Sequence, residues 1–256
     1  YSERASTISA GNASGNTTGN SVGNTFAARL RKEDAVASPQ PGASLGLEGK
    51  VIFVTGGNKG IGAAIVRLLE NLGAEVAYTY RSGAGEGGAR ALQADVTDAE
   101  AMQGAVERVE TDLGPIYGLV ANAGITQDSL FVKSTLEQWN AVIETNLTGV
   151  YNTVRPVMPK MNAHGEGSIV LISSVVGEQG NLGQANYAAA KAGLIGFAKA
   201  LALEGARYRV RCNVIAPGFI ETNMLSGVPD KVKEKITATI PLGRFGEPDE
   251  IAWAAA

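Results

Sequence analysis

At 256 residues, 45% of them hydrophobic, the chain can bury a sizeable core in one large domain or two small ones. A net charge of −3 and a pI near 5.4 argue against a nucleic-acid partner, and no apolar run approaches the length of a membrane span. One cysteine, Cys212, excludes an internal disulfide, and one histidine, His164 in the loop-like NAHGEG, leaves no cluster for a metal ion.

Residues 1–45 differ in composition from the rest. GNASGNTTGNSVGNT repeats a Gly-Asn pair at 11, 15, 19 and 23, with too little apolar content to offset the entropy of ordering. The sequons at Asn12 and Asn16 would matter only in a secreted protein, and no h-region supports secretion. Richness in Ser and Thr, with Arg4, Arg29 and Arg31 and few acids, suits a plastid or mitochondrial transit peptide. A disordered tail or linker on a cytoplasmic protein fits the same composition. The chain starts at Tyr1 without an initiator methionine, so a native N-terminus upstream is expected.

From Lys50 the pattern turns regular. VIFVT (51–55) reads as a buried strand, and IGAAIVRLLENLG as a helix with Ile61, Ile65, Leu68 or Leu69 and Leu72 on one face and Gly73 as its stop. EVAYTY (75–80) and ALQADV (91–96) are further strands. TDAE, from Thr97, reads as a capping box opening a helix to about Asp112. YGLVANAG is the next strand, followed by a long helical region from about Leu136 to Met161. SIVLISS, a helix holding Tyr187, and RVRCNVIAPG complete the series. Alternating strands and helices predict an α/β fold, a doubly wound parallel sheet of the Rossmann type with helices on both faces and ligands at the carboxyl ends of the strands.

The first strand end carries TGGNKGIG. Gly56, Gly60 and Gly62 would let the backbone approach a pyrophosphate at the next helix N-terminus, in a G-x-x-x-G-x-G spacing. Farther on, Tyr187 and Lys191 stand four apart on a helix and so share a face, with Ser174 a short loop upstream.

These glycines, NAG at 122–124, Ser174 with Tyr187-x-x-x-Lys191, and PG at 217–218 resemble the short-chain dehydrogenase/reductases over residues 47–256. NAGIT, SSVVGEQGNLGQANYAAAKAGLIGF, APGFIETNM and IPLGRFGEPDEIA are similar, within that family, to the 3-oxoacyl-(acyl-carrier-protein) reductases of fatty-acid synthesis. The resemblance implies that 46–256 is a reductase domain and that Tyr187 is the general acid. A free phenol has a pKa near ~10, and the Lys191 ammonium is expected to lower it toward working pH. Lys191 would also hold the nicotinamide ribose, Ser174 would hydrogen-bond the developing alkoxide, and Asn146 would anchor a water in the proton relay. The substrate implied is an acyl-carrier-protein or CoA thioester, with acetoacetyl-CoA or a small ketone as the alternative. A non-catalytic NADP(H)-binding scaffold is the reading from another class, though it has no need of Asn146 or Tyr187.

For the cofactor, the loop Gly56, Asn58, Lys59, Gly60, Ile61 and Gly62 would hold the phosphates. The second strand ends Tyr80-Arg81 with no acid for a ribose 2′-hydroxyl, and Lys59 lies in the loop, so two cations suit the 2′-phosphate of NADPH/NADP+. Asp95 and Val96 would meet the adenine, and Asn122, Ala123 and Gly124 the ribose and nicotinamide. Pro217, Gly218, Ile220 and Thr222 would meet the carboxamide.

Departures from the family pattern add further expectations. RSGAGEGGAR leaves a shortened helix, or none, between strands two and three, and Pro156 and Pro159 should kink the long helix. The resemblance implies a final strand and a Gly-rich tail beyond EIAWAAA, so this chain should form a homo-oligomer through its two long helices, a dimer at most. There Ala188, Ala192, Gly196 and Ala200 recur at i+4 steps. Arg207, Arg209 and Arg211 would either meet an acidic carrier protein or form a solvated strand edge.

Overall fold

Val51–Thr55 forms strand β1 with every residue buried, as a strand covered on both faces requires. The computed structural model describes residues 45–83, 90–222 and 230–256. The expectations for residues 1–44, and most of the segment expected to have lost its helix between strands two and three, lie outside them. Strands β2 (Glu75–Tyr80), β3 (Arg90–Gln93), β4 (Ile116–Ala121), β5 (Gly167–Ile172) and β6 (Val210–Ile215) join β1 in one sheet. All pairings are parallel, in the order β3-β2-β1-β4-β5-β6. This is the doubly wound Rossmann order, and it bears out the expected fold class.

Alternation along β1 sorts the core into two layers. Ile52 and Val54 face helix α1 (Gly60–Asn71), packing with Ile65, Leu69 and the late-chain Ala252. Val51 and Phe53 face the opposite layer, with Val106 of helix α2 (Ala99–Leu113) and Met161. Successive strand residues point to opposite faces, so a single apolar run feeds both layers.

Three local expectations are corrected. Helix α2 is capped by Asp98, whose carboxylate accepts from the Ala101 N–H, and not by Thr97. Thr97 is already engaged, because its N–H and hydroxyl both donate to Asp95 at 3.0 and 2.9 Å, an Asx-type turn that also ends β3 early. The long helical region is three pieces: α3 (Leu136–Ile143), a π turn (Glu144–Thr148) and α4 (Gly149–His164). Its departure from α geometry falls at the π turn, and α4 runs on through Pro156 and Pro159. His164 is not in a loop but is the exposed last residue of α4, where a basic group suits the negative end of the helix dipole.

After β5 come a short helix α5 (Val176–Gln179) and the long α6 (Ala185–Gly205). On α6 the expected small-residue stripe is largely open: Ala192, Gly196 and Ala200 are exposed and Ala188 is half-buried. After β6 come α7 (Asp230–Thr237) and α8 (Pro248–Ala255).

Two helical glycines make a matched test of packing. A Cβ on Gly104 in α2 would meet nothing within 4 Å, whereas one on Gly149 in α4 would lie 2.6 Å from Val96 Cγ2. Gly104→Ala should stabilise by about 0.5–1 kcal/mol through helix propensity. Gly149→Ala should destabilise by about 1–3 kcal/mol through overpacking. Denaturant melts of both variants check this, and similar shifts of one sign would show that the Val96 contact is slack.

Candidate active site

The crevice opens where β1 and β4 lie side by side and their crossovers leave for opposite faces. Its strand ends are stitched together. Thr55 Oγ1 accepts from the N–H groups of Asn122 and Ala123 at 3.1 and 3.2 Å. Asn122 Nδ2 donates to the carbonyls of Thr55 and Gly56 at 3.0 and 3.2 Å. Thr55 was missed among the expected site residues; its only signal was a hydroxyl ending an otherwise apolar strand. Asn122, expected beside the ribose, commits its side chain to holding the crevice.

The glycine loop fits a dinucleotide phosphate. Gly56 adopts φ +67°, and a Cβ there would press on Ala123 Cα at 3.1 Å; one on Gly62 would stand 2.1 Å from the Gly56 carbonyl oxygen. Helix α1 begins at the N-cap Lys59 with no side-chain cap and no acid in its first turn. Its leading N–H groups therefore offer an anion site at the positive end of the helix dipole. Ile61 packs against the α1-side core, and Lys59 is exposed. Asn58 Nδ2 donates to the Ser82 carbonyl at 3.1 Å, tying the loop to the segment just after β2 where Arg81 lies exposed. Asp95 is held by Thr97, and Val96 is buried. Beyond β6, the Pro217 carbonyl accepts from Val175 at 3.0 Å, Gly218 is exposed, and Ile220 bridges to Gly246. Thr222 Cγ2 would lie 3.6 Å from a Cβ on Gly60, so this segment faces the glycine loop.

The other expected residues meet at the same edge. Lys191 is 3% exposed, and its Nζ donates to the Ile172 carbonyl at the end of β5 at 2.7 Å. Burial pulls its pKa down to about 8. The neighbouring Ser173 hydroxyl donates to the Lys191 carbonyl at 2.7 Å, so β5 and α6 are bonded through both residues. Ser174 Oγ accepts from Val176 N–H at 3.1 Å. Lys191 Nζ lies 5.7 Å from the centre of the Tyr187 ring. The phenol is nevertheless raised above its ordinary value, chiefly by burial; the Ser174 hydroxyl pulls it down, and the Asp128 charge adds to the rise. The expected lowering by Lys191 is not seen; that ammonium donates to the Ile172 carbonyl.

Asn146, fully buried in the π turn, gives its amide to the loop after β4. Its Oδ1 accepts from Ile125 N–H and its Nδ2 donates to Ile125 carbonyl, each at 2.8 Å. A Cβ on Gly124 would fall 3.1 Å from Asn146 Oδ1 and 3.6 Å from Lys191 Nζ, so these residues and the NAG backbone converge. Beside Val175 and Val176 a cleft of about 380 Å³ opens between α5 and α7, lined by Phe219, Val232 and Ile236 with Lys235 among them. Arg207, Arg209 and Arg211 lie elsewhere, before or at the amino end of β6, with Arg207 over the Tyr208 ring and Arg209 donating to the Gly165 carbonyl. That placement favours the solvated-edge reading over a carrier contact beside the site. Among the described residues there is no cluster of three or more His, Cys, Asp or Glu able to hold a metal ion, and no helix long and apolar enough to cross a membrane.

The profile of a family described as Enoyl-(Acyl carrier protein) reductase matches residues 56–256. The acetoacetyl-CoA reductase of Synechocystis sp. is 54% identical over 214 residues, covering 83% of this chain and 89% of that protein. That of Shinella zoogloeoides is 50% identical over 211 residues, covering 79% of this chain and 88% of its own. The 3-oxoacyl-(acyl-carrier-protein) reductase FabG of Escherichia coli is 44% identical over 223 residues, covering 83% and 90%.

Burying Lys191 should cost stability in a way pH exposes. Between about 8 and its ordinary 10.5 the unfolded chain holds this proton and the folded chain does not, so stability from this group rises with pH in that window. Below 8 the whole penalty remains, about 3 kcal/mol. Lys191→Met should therefore gain about 1 kcal/mol at pH 7, after losing the bond to Ile172. It should also lose the rise between pH 8 and 9. The buried Cys212 thiol, pushed up to about 12, opposes that rise only above its ordinary value of 9.0. Denaturant melts across pH 6–9 test this, and a variant less stable at pH 7 would contradict it.

Proposed function

The chain belongs to the short-chain dehydrogenase/reductase family, and we propose that it catalyses NADPH-dependent reduction of a 3-oxoacyl thioester to the 3-hydroxyacyl thioester. The observation that carries this is the meeting of Ser174, Tyr187, Lys191 and Asn146 beside an uncapped helix N-terminus and its glycine cradle. A binding scaffold has no need of Asn146 or Tyr187. The relatives at 54% and 50% identity are named acetoacetyl-CoA reductases, which favours a CoA-bound short chain over the carrier-protein substrate, itself supported by FabG at 44%. These relatives come from bacteria, so they lend no support to an organelle transit peptide in residues 1–45.

The glycine loop and the α1 N-terminus would hold the cofactor's pyrophosphate, Arg81 and Lys59 its 2′-phosphate, and Thr222 and the NAG backbone its nicotinamide end. When bound, NADPH supplies the hydride. Tyr187 donates its proton to the carbonyl oxygen, which takes up that proton as its carbon is reduced, leaving a hydroxyl. With its pKa raised by burial, the phenol stays protonated near neutral pH and yields its proton only to a strong base such as a developing alkoxide. Ser174 hydrogen-bonds the same oxygen and fixes it against the phenol. Lys191 keeps its charge below about pH 8 and would hold the nicotinamide ribose. Asn146 holds the Ile125 loop in register.

Following NADPH absorbance with acetoacetyl-CoA and with an acetoacetyl-carrier protein tests both reaction and carrier. Turnover of the CoA substrate should match or exceed that of the carrier-bound one. Tyr187→Phe should lower turnover at least about a hundredfold, the scale of a lost general acid, while NADPH still binds. Near-normal turnover in that variant would remove Tyr187 from the chemistry, and inactivity on every thioester would favour the scaffold.

Cofactor choice has its own test. Arg81→Ala should weaken NADPH by roughly ten- to a hundredfold, for a charge-assisted hydrogen bond worth about 1.5–3 kcal/mol, and leave NADH nearly untouched. Calorimetric titration with both cofactors measures this. Equal losses would mean that Arg81 supports the fold instead of reading the phosphate.

A further inference from the structure

The turn entering α6 is strapped to the loop after β4 by side chains that the proposed chemistry leaves unused. Gln184 Nε2 donates to both carboxylate oxygens of Asp128 at 3.0 Å, and Gln184 Oε1 accepts from Asn181 Nδ2 at 2.8 Å. Next to this pair, Ser129 N–H donates to the Gly183 carbonyl at 2.8 Å. Asn186 Nδ2 reaches the Gln127 carbonyl at 3.1 Å, while its Oδ1 accepts from the Tyr187 N–H at 2.8 Å. The strap ends on the main chain of Tyr187 itself. Gln184 is also the N-cap of α6, and its side chain makes no capping bond to that helix. It is spent on Asp128.

We infer that Asp128 is a positioning residue for Tyr187, holding the start of α6 through Gln184 and placing a carboxylate charge at the entry to the phenol's helix. The inference rests on the reading of Tyr187 as the proton donor. Its geometric part follows from the contacts: two segments far apart in sequence are joined within three residues of the phenol. Orientation at that scale governs rate, because a reacting group displaced by about 1 Å can lose roughly a hundredfold. Its electrostatic part follows from charge. Among the described residues, three groups act on or lie beside the phenol. Ser174 on the loop after β5 and Asp128 on the loop after β4 act on its ionisation in opposite senses, and Lys191 on α6 has its ammonium directed to the Ile172 carbonyl. A carboxylate disfavours the phenolate, so Asp128 keeps the donor protonated to higher pH.

Three variants separate charge from strap. Asp128→Asn keeps an oxygen for Gln184 and removes the charge; Asp128→Leu removes both; Asp128→Glu keeps the charge. The primary readout is the ultraviolet titration of Tyr187, taken as the difference between each protein and the same protein carrying Tyr187→Phe, so it does not depend on turnover. Asp128→Asn should move the phenol midpoint to lower pH, whereas Asp128→Glu should leave it in place. Asp128→Leu should also lose about tenfold in kcat with little change in KM, as a lost orientation does. An unchanged phenol midpoint in Asp128→Asn overturns the electrostatic role, and an unchanged kcat in Asp128→Leu overturns the strap. If Asp128→Leu fails to fold, Gln184→Leu tests the strap from its other end. Full turnover in Tyr187→Phe would instead overturn the proton-donor reading, and the titration would still decide whether Asp128 acts on the phenol.

Discussion

Everything at the site hangs on one topological fact: the crossovers from β1 and β4 leave for opposite faces of a parallel sheet. Side by side, the two strand ends would part into an open crevice with unpaired main-chain groups at its lip. The Thr55 hydroxyl and the Asn122 amide close that lip, using the carbonyls of Thr55 and Gly56 and the N–H groups of Asn122 and Ala123. Because those bonds fix Gly56 against Ala123, the glycine loop approaches the NAG segment at van der Waals distance, where a Cβ at Gly56 would crowd it. The same segment continues to Gly124 and Ile125, and Ile125 is held by Asn146. A single hydrogen-bonded seam therefore runs from the phosphate cradle to the residues proposed for proton transfer.

The seam is built from satisfied polar groups, and Lys191 shows what the fold gives up to complete it. A fully buried ammonium with a carbonyl partner is an unfavourable core element, as its lowered pKa records. Apolar packing of β5 against α6 would be more stable. Natural proteins break local rules of this kind chiefly at functional sites. Tyr187 shows the complementary compromise: burial makes it a weak acid, and the Ser174 hydroxyl recovers part of that loss.

Much of this was legible along the chain, for identifiable reasons. VIFVT and EVAYTY are short runs dominated by β-branched and aromatic residues, which favour strands, and their bounds held at 51–55 and 75–80. Tyr187 and Lys191 stood out because helical spacing puts them on one face and Ser174 and Asn146 complete the pattern that resembles the family's. What stayed hidden depends on partners remote in sequence. Thr55 has no local signature as a clamp, since its partner Asn122 is 67 residues away. Asp128 is one acid among many until Gln184, 56 residues on, points at it. Thr97 looked like a cap and lost that role to Asp98, because Asp95 had already claimed it. The π turn at Glu144–Thr148 has a helical pattern, and only the Asn146–Ile125 pairing gives it a purpose.

The seam is the central claim, and its most direct test is calorimetric titration of NADPH into the Asn122→Ala protein, well below its melting temperature. Removing the amide frees the Thr55 and Gly56 carbonyls and lets the cradle part from the NAG segment. Affinity for NADPH should fall at least about tenfold, a loss of about 1.4 kcal/mol or more, in a protein that is still folded. Unchanged NADPH affinity in a folded Asn122→Ala variant would contradict the account, since the cradle would then hold its shape without the clamp.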